Sequence, residues 1–210
     1  MKDILSKIIQ NHESHARWLN TLSYMENAGA RKISKSEDKI FTNIIQLKHA
    51  AEEHRHAYYL KKQILKLNVL GFEFFDPNSI IAWKNTQHYL HHLDIKVCRF
   101  LKKQFQLQGA ALKYAAYLFV TYAIEVRADL LYPIYQELLS DHESKVNVKS
   151  IILEEEGHLE EMINQLEQFN SNWKIYADVV LSMEEKLFNE WLLAIKEELQ
   201  SKQLIDNVLN

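Results

Sequence analysis

The stretch YAAYLFVTYAIE, residues 114–125, is the longest uncharged apolar run of this 210-residue chain, and it ends in a glutamate. A bilayer-spanning helix needs about 20 apolar residues, so this run, bracketed by Lys113 and Glu125, is too short to cross a membrane. It predicts a helix buried in a protein core. A lone carboxylate in such surroundings needs a cation, an arginine or a metal ion beside it. Glu125 is therefore a candidate functional residue.

The composition favours long helices with few connections. Only 4 glycines and 2 prolines occur, which is too few for the many tight turns of a sheet protein. Apolar residues make up 47% of the chain, enough for a large core. We therefore predict an all-α fold.

Charge and cysteine content narrow the expected partners and compartment. The net charge is −3 and the basic residues form no stripe, so no nucleic-acid partner is evident, and a small RNA or tRNA substrate stays open because charge can be local. The single cysteine, Cys98, cannot form an internal disulfide, and it excludes a four-cysteine iron centre within the chain. Residues 1–18 show an amphipathic pattern rather than the apolar run of a signal peptide. We expect a cytoplasmic protein that does not associate with membranes.

Helical periodicity and breaker residues predict six helices in one domain spanning residues 1–210. Four of them are expected to form a bundle core, one to cross over between the two halves of that core, and one to follow at the C-terminus. The predicted core helices cover about 2–28, 37–67, 110–139 and 146–169, and the two accessory helices cover about 80–106 and 173–203.

Two Glu-x-x-His motifs stand on predicted core helices: EHRH, residues 53–56, and EEGH, residues 155–158. Residues three apart lie on one face of a helix, so the glutamate and the histidine of each motif can reach the same metal ions. About one such match is expected by chance in this composition, so the apolar surroundings of each motif carry the argument. A mixed set of carboxylates and imidazoles suits iron or manganese.

A two-metal site in a four-helix bundle takes one glutamate from each helix that lacks a Glu-x-x-His motif. The first helix would supply one of these glutamates, and either Glu13 or Glu26 is of the right type. The predicted turn between the first two helices centres near Lys35, 18 residues before Glu53 and 21 before His56. In an antiparallel pair at 1.5 Å per residue, Glu13 meets the motif to within roughly 6 Å, whereas Glu26 misses it by more than about 13 Å. Position along the helix axis therefore favours Glu13, with Glu26 as the alternative.

Two other side chains on the Glu125 helix are candidates for supporting roles. Tyr122, one turn before Glu125, is a candidate hydrogen-bond donor or redox tyrosine, with core packing as the alternative. Asp129, one turn after Glu125, is a candidate acceptor for a metal-binding histidine.

The order Glu, Glu-x-x-His, Glu, Glu-x-x-His resembles the ferritin-like di-iron carboxylate superfamily. The resemblance covers about residues 2–67 and 110–169 and implies a ferritin-like four-helix bundle that holds two iron ions, or manganese instead. The metal ligands it implies are Glu13, Glu53, His56, Glu125, Glu155 and His158.

The resemblance also implies a function. The leading expectation is a non-haem di-iron oxidase or oxygenase, an enzyme that activates O2 to oxidise an unknown small organic substrate with electrons from a separate donor. A ferroxidase or metal-storage protein, a dimanganese catalase and a metal-free helical scaffold remain alternatives. Assembly as a homodimer is left open.

Overall fold

The structure is a computed structural model that describes residues 1–40 and 42–209, with side chains through residue 201. It is all-α, as the composition predicted, and the described residues contain no strand. None of the described helices is both long and apolar enough to pass through a bilayer. In chain order the helices are α1 Lys2–Gln10, α2 His12–Ser36, α3 Ile44–Ile64, α4 Trp83–Phe105, α5 Gly109–Asp141, α6 Lys149–Phe169 and α7 Trp173–Leu209.

Two helical hairpins form the centre of the fold. Helix α2 packs along α3, and α5 packs along α6. The hairpins face each other through contacts of α2 with α5 and of α3 with α6, while α4 and α7 pack on each other and on α5. The apolar run of residues 114–125 lies inside this arrangement, with Leu118 and Phe119 fully buried.

The first predicted helix, residues 2–28, is two helices separated at Asn11. Asn11 adopts an extended backbone with φ −117°, and its side chain accepts a hydrogen bond of 2.9 Å from the backbone N–H of Ser14. Asparagine is a preferred residue at such helix starts because its side chain satisfies an otherwise unpaired N–H. Helix α1 packs on α2 and α5 and buries Leu5, Ile8 and Ile9.

The turn between α2 and α3 lies farther along the chain than predicted. Helix α2 continues to Ser36, and α3 begins only at Ile44 rather than near residue 37. The side chain of Asn43 caps α3 by accepting from the backbone N–H of Ile45 at 2.9 Å. The midpoint of the connection is therefore residue 40, and this displacement changes which first-hairpin side chains face each other.

Candidate metal centre

A buried group of glutamates and histidines lies between the two hairpins. Five of the predicted ligands meet there, and none of the five is more than 7% exposed. Half-buried Glu26 joins them from α2. Together they supply four carboxylates and two imidazoles: Glu26, Glu53, His56, Glu125, Glu155 and His158.

The side chains form two overlapping sets. One set is Glu26, Glu53, His56 and Glu155, and the other is Glu53, Glu125, Glu155 and His158. Within each set, one candidate ligand atom per residue lies within 4.8 Å of the others. Glu53 and Glu155 belong to both sets, so the geometry suits two neighbouring cations that share two carboxylates.

Glu13, the sequence-based choice for the first-helix ligand, does not reach this group. Glu13 is exposed and lines a separate depression with Arg17 and the loop that follows α3. With the turn centred at residue 40, Glu26 lies 14 residues before it and Glu53 lies 13 residues after it, whereas Glu13 lies 27 before it. With the turn at its observed position, the same comparison of distances along the helix axis selects Glu26, the sequence-based alternative, rather than Glu13.

Two glutamates outside the buried group fix the ring orientation of its two histidines. The Nε2 atom of His56 lies 3.0 Å from a carboxylate oxygen of Glu154, and that of His158 lies 2.8 Å from one of Glu52. Each acceptor stands on the helix opposite its histidine, so α3 and α6 exchange a pair of hydrogen bonds. A histidine that donates from Nε2 presents its Nδ1 lone pair to the centre, which is the arrangement that a metal ligand requires.

The inward nitrogen atoms have no hydrogen-bond partner among the described residues. The Nδ1 atom of His56 lies 3.1 Å from Glu155, and that of His158 lies 3.4 Å from Glu155 and 3.8 Å from Glu125, but none of these contacts has hydrogen-bond geometry. One oxygen of Glu155 is likewise unpaired. Buried polar atoms without partners are costly. Two cations, one in each set, would satisfy all three atoms.

The electrostatics of the group reflect crowded negative charge. Burial, followed by repulsion from Glu26 and Glu155, raises the pKa of Glu53 well above its usual value. Burial and the neighbouring Glu155 do the same to the pKa of Glu125. In the metal-free chain these shifts favour the protonated form of both carboxyls, and divalent cations would take the place of those protons.

The pKa values of Glu155, which belongs to both sets, and of His158 shift in the directions that favour the charged forms. Burial lowers the pKa of His158, but its interactions with Glu125 and Glu155 outweigh burial and raise that pKa to about 11. Burial raises the pKa of Glu155, yet its interactions with Glu125 and the two histidines hold that pKa well below the usual range. Glu155 is thus the carboxylate that stays ionised at the core of the group.

The two residues proposed for supporting roles lie away from the centre. The ring of Tyr122 packs edge-on against Trp173 of α7, with ring centroids 5.3 Å apart, and Asp129 is exposed. The histidine acceptors are Glu52 and Glu154 instead. The tyrosine that reaches the group is buried Tyr132, whose hydroxyl donates to Glu26.

The sequence carried one signal for the missed acceptors. Each Glu-x-x-His motif is preceded directly by another glutamate, giving EEHRH at residues 52–56 and EEEGH at residues 154–158. A glutamate one position before the inward glutamate points about 100° farther around the helix, toward the neighbouring helix rather than the centre. The doubled motif therefore contains both the members of the buried group and the glutamate that orients the histidine of the opposite helix.

An elongated cavity of about 320 Å³ opens on the carboxylate side of the group. Its walls come from α2, α4 and α5, and three of the centre's carboxylates face it: Glu26, Glu53 and Glu125. The rest of its inner wall is mainly apolar, and its far end reaches the exposed residues Lys35 and Lys113. Its volume falls at the lower end of the range of roughly 300–1,000 Å³ that is typical of small-molecule sites.

Comparisons of this chain with protein-family models, curated proteins and solved structures give no significant match. The class of protein therefore follows from fold and site alone. The chain is an all-α protein with a buried glutamate and histidine group that could hold a metal. This combination is compatible with the ferritin-like class.

Proposed function

We propose that this chain is a non-haem di-iron oxidase or oxygenase of the ferritin-like kind, which activates O2 at a carboxylate-bridged metal pair to oxidise a small organic substrate. The observation that carries the proposal is the apolar cavity that ends at the carboxylates of the centre. A storage site needs a route for hydrated ions, whereas this cavity offers space for an organic molecule directly beside the ligands.

The donor set fits iron. Four carboxylates balance the charge of two divalent ions, and imidazole with carboxylate is a ligand combination that suits iron, with manganese as the alternative. Glu53 and Glu155 would bridge the ions, while Glu26 with His56 and Glu125 with His158 would complete the two sides. When bound, a pair of redox-active ions supplies the electrons that reduce O2 and the oxidising power that acts on the substrate.

The protein contributes orientation and exclusion of water. Glu52 and Glu154 orient the two imidazoles with Nδ1 inward. The packed faces of α3 and α6 close the histidine side, so the cavity is the side from which a substrate can approach. The hydroxyl of Tyr132 donates to Glu26 and orients that carboxylate beside the cavity.

Metal loading and oxygen consumption test the proposal. Metal-free protein is titrated anaerobically with Fe(II), the bound iron is measured by elemental analysis, and O2 consumption is recorded after exposure to air with a chemical reductant. The matched control is the His56→Ala, His158→Ala double variant. We expect two iron ions per chain and O2 consumption above that of the control.

The alternatives give different results. Iron uptake no greater than that of the double variant would refute a metal function and favour a helical scaffold. Mineral formation far beyond two ions per chain would favour storage. Disproportionation of hydrogen peroxide with manganese, without activity toward O2, would favour a dimanganese catalase.

A further inference from the structure

We propose that the cavity beside the centre binds an amphipathic anion, with its apolar chain directed at the carboxylates and its anionic head held by lysines at the bundle end. This inference rests on the proposed function for the reaction but not for the binding. The head group is a carboxylate or a phosphate, two anions that lysines recognise through the same chemistry.

The walls of the cavity suit a hydrocarbon chain. Between the centre and the far end, the lining side chains of α2, α4 and α5 are predominantly apolar and include Ile33, Leu93, Val120 and Ile124. Several remain half-buried, because the cavity rather than another side chain lies against them. Filling such a space with methylene groups removes apolar surface from water on both partners.

The two ends of the cavity lie far enough apart for an extended hydrocarbon chain rather than a compact molecule. Lys113 stands 12 residues before Glu125 on α5, which corresponds to about 18 Å along a helix. Lys35 stands 9 residues after Glu26 on α2, or about 14 Å. Both lysines line the same cavity as the two glutamates, so it extends over most of this distance.

Charge fixes which way an amphipathic molecule enters. In the metal-free protein the inner end offers an anionic head no cationic partner, because Arg127, the basic lining residue closest in sequence to Glu125, is paired with Glu184. At the far end the described residues place no carboxylate within ion-pair distance of exposed Lys35 or Lys113, whereas the third lysine, Lys32, is paired with Asp94 at 2.5 Å. Two uncompensated ammonium groups beside an apolar opening attract a head of negative charge.

This orientation has a chemical consequence. A molecule held by its head at Lys35 and Lys113 presents the far end of its chain to Glu26 and Glu125. Oxidation would therefore fall on carbon atoms remote from the head group, and chain length would decide which atom reaches the centre.

Binding to the metal-free protein tests the inference separately from any oxygen chemistry. Isothermal titration calorimetry compares dodecanoate and dodecyl phosphate with the neutral dodecanol and the cationic dodecyltrimethylammonium. We expect at least one of the anions to bind about tenfold or more tightly than the cation, and the stronger of the two identifies the head group. Equal binding of the anions and the cation would overturn the proposal.

Matched variants locate the two ends of the ligand. Ala116→Phe fills the outer half of the cavity, and Ala111→Phe places the same side chain on an exposed position of α5 outside it. We expect about tenfold weaker binding of the preferred anion in the first variant and no change in the second. The charge reversals Lys35→Glu and Lys113→Glu should each weaken anion binding, whereas Lys145→Glu, an exposed position outside the cavity, should not.

A homologous series gives a measurement that needs no variant. From octanoate to dodecanoate, each added methylene that enters the cavity should tighten binding about fourfold. Affinity independent of chain length would overturn the proposal. Helix content by circular dichroism shows whether each variant is folded, and iron stoichiometry is measured in the same samples. Intact iron binding without anion binding refutes this inference alone, and anion binding without iron uptake refutes the proposed function alone.

Discussion

The two sides of the candidate centre are built differently. On the side of α3 and α6, both imidazoles are locked by carboxylates of the opposite helix. On the side of α2 and α5, Glu26 and Glu125 border an apolar cavity. The rigid side is suited to fixing the metal ions and the open side to admitting a substrate. One group of side chains can thus combine fixed histidine orientation with access from a cavity, because the two tasks fall to different helices.

The largest effect is expected from the shared carboxylate on the rigid side. Glu155 belongs to both ligand sets, so Glu155→Gln should reduce bound iron from two ions per chain to none, as measured by elemental analysis after desalting. The control is Glu156→Gln, its exposed neighbour. Retention of both ions in the Glu155 variant would show that the sets are not joined as described.

The next effect concerns the open side. Glu26→Gln should remove the ion of the Glu26 and His56 set, so that about one iron per chain remains, because a neutral amide cannot balance the charge of the cation. Glu13→Gln should leave iron binding unchanged, since Glu13 lies outside the group. Loss of iron from the Glu13 variant, with none from the Glu26 variant, would reverse the assignment.

A smaller effect is expected for the two acceptors. Glu52→Gln and Glu154→Gln each leave an imidazole without its anionic partner, and substitutions of this kind weaken metal binding by about 10- to 100-fold. Glu160→Gln on the exposed face of α6 is the control. Competition titrations with a chelator measure the change. Similar losses of metal affinity in the two variants would support equivalent roles for the two hydrogen bonds that α3 and α6 exchange. Unchanged affinity would contradict these roles.

The smallest effect is on the pH dependence of metal-free stability. The pKa of His158 is raised from 6.5 to about 11, so its contribution is complete below pH 6.5 and is lost as pH rises toward 11. The raised pKa values of Glu53 and Glu125 act in the same direction. Urea unfolding should show a free energy that falls by at least about 1 kcal/mol over this range. Bound metal should suppress the fall, and a stability that rises with pH would contradict these shifts.

The part of the site that could be predicted is the part encoded along one helix. The three-residue spacing of Glu53 with His56 and of Glu155 with His158 is a local property, and the isolation of Glu125 at the end of an apolar run is visible without a fold. These five side chains do lie together. Their function as metal ligands stays a prediction.

The part that could not be predicted depends on where chain segments meet. The choice between Glu13 and Glu26 required the position of the α2–α3 turn to within a few residues, and sequence patterns locate helix ends poorly because side-chain caps compete. Helix α3 is capped by Asn43, six residues beyond its predicted start near residue 37. Glu52 and Glu154 act across the bundle, so no spacing on their own helix indicates which histidine each one holds.

The exchange of hydrogen bonds between α3 and α6 has a consequence for the assembly of the molecule. Each hairpin carries half of the buried group and also the glutamate that accepts from the imidazole of the other hairpin. Neither hairpin therefore contains the complete group by itself, and the six side chains meet only when the two hairpins dock in the correct register.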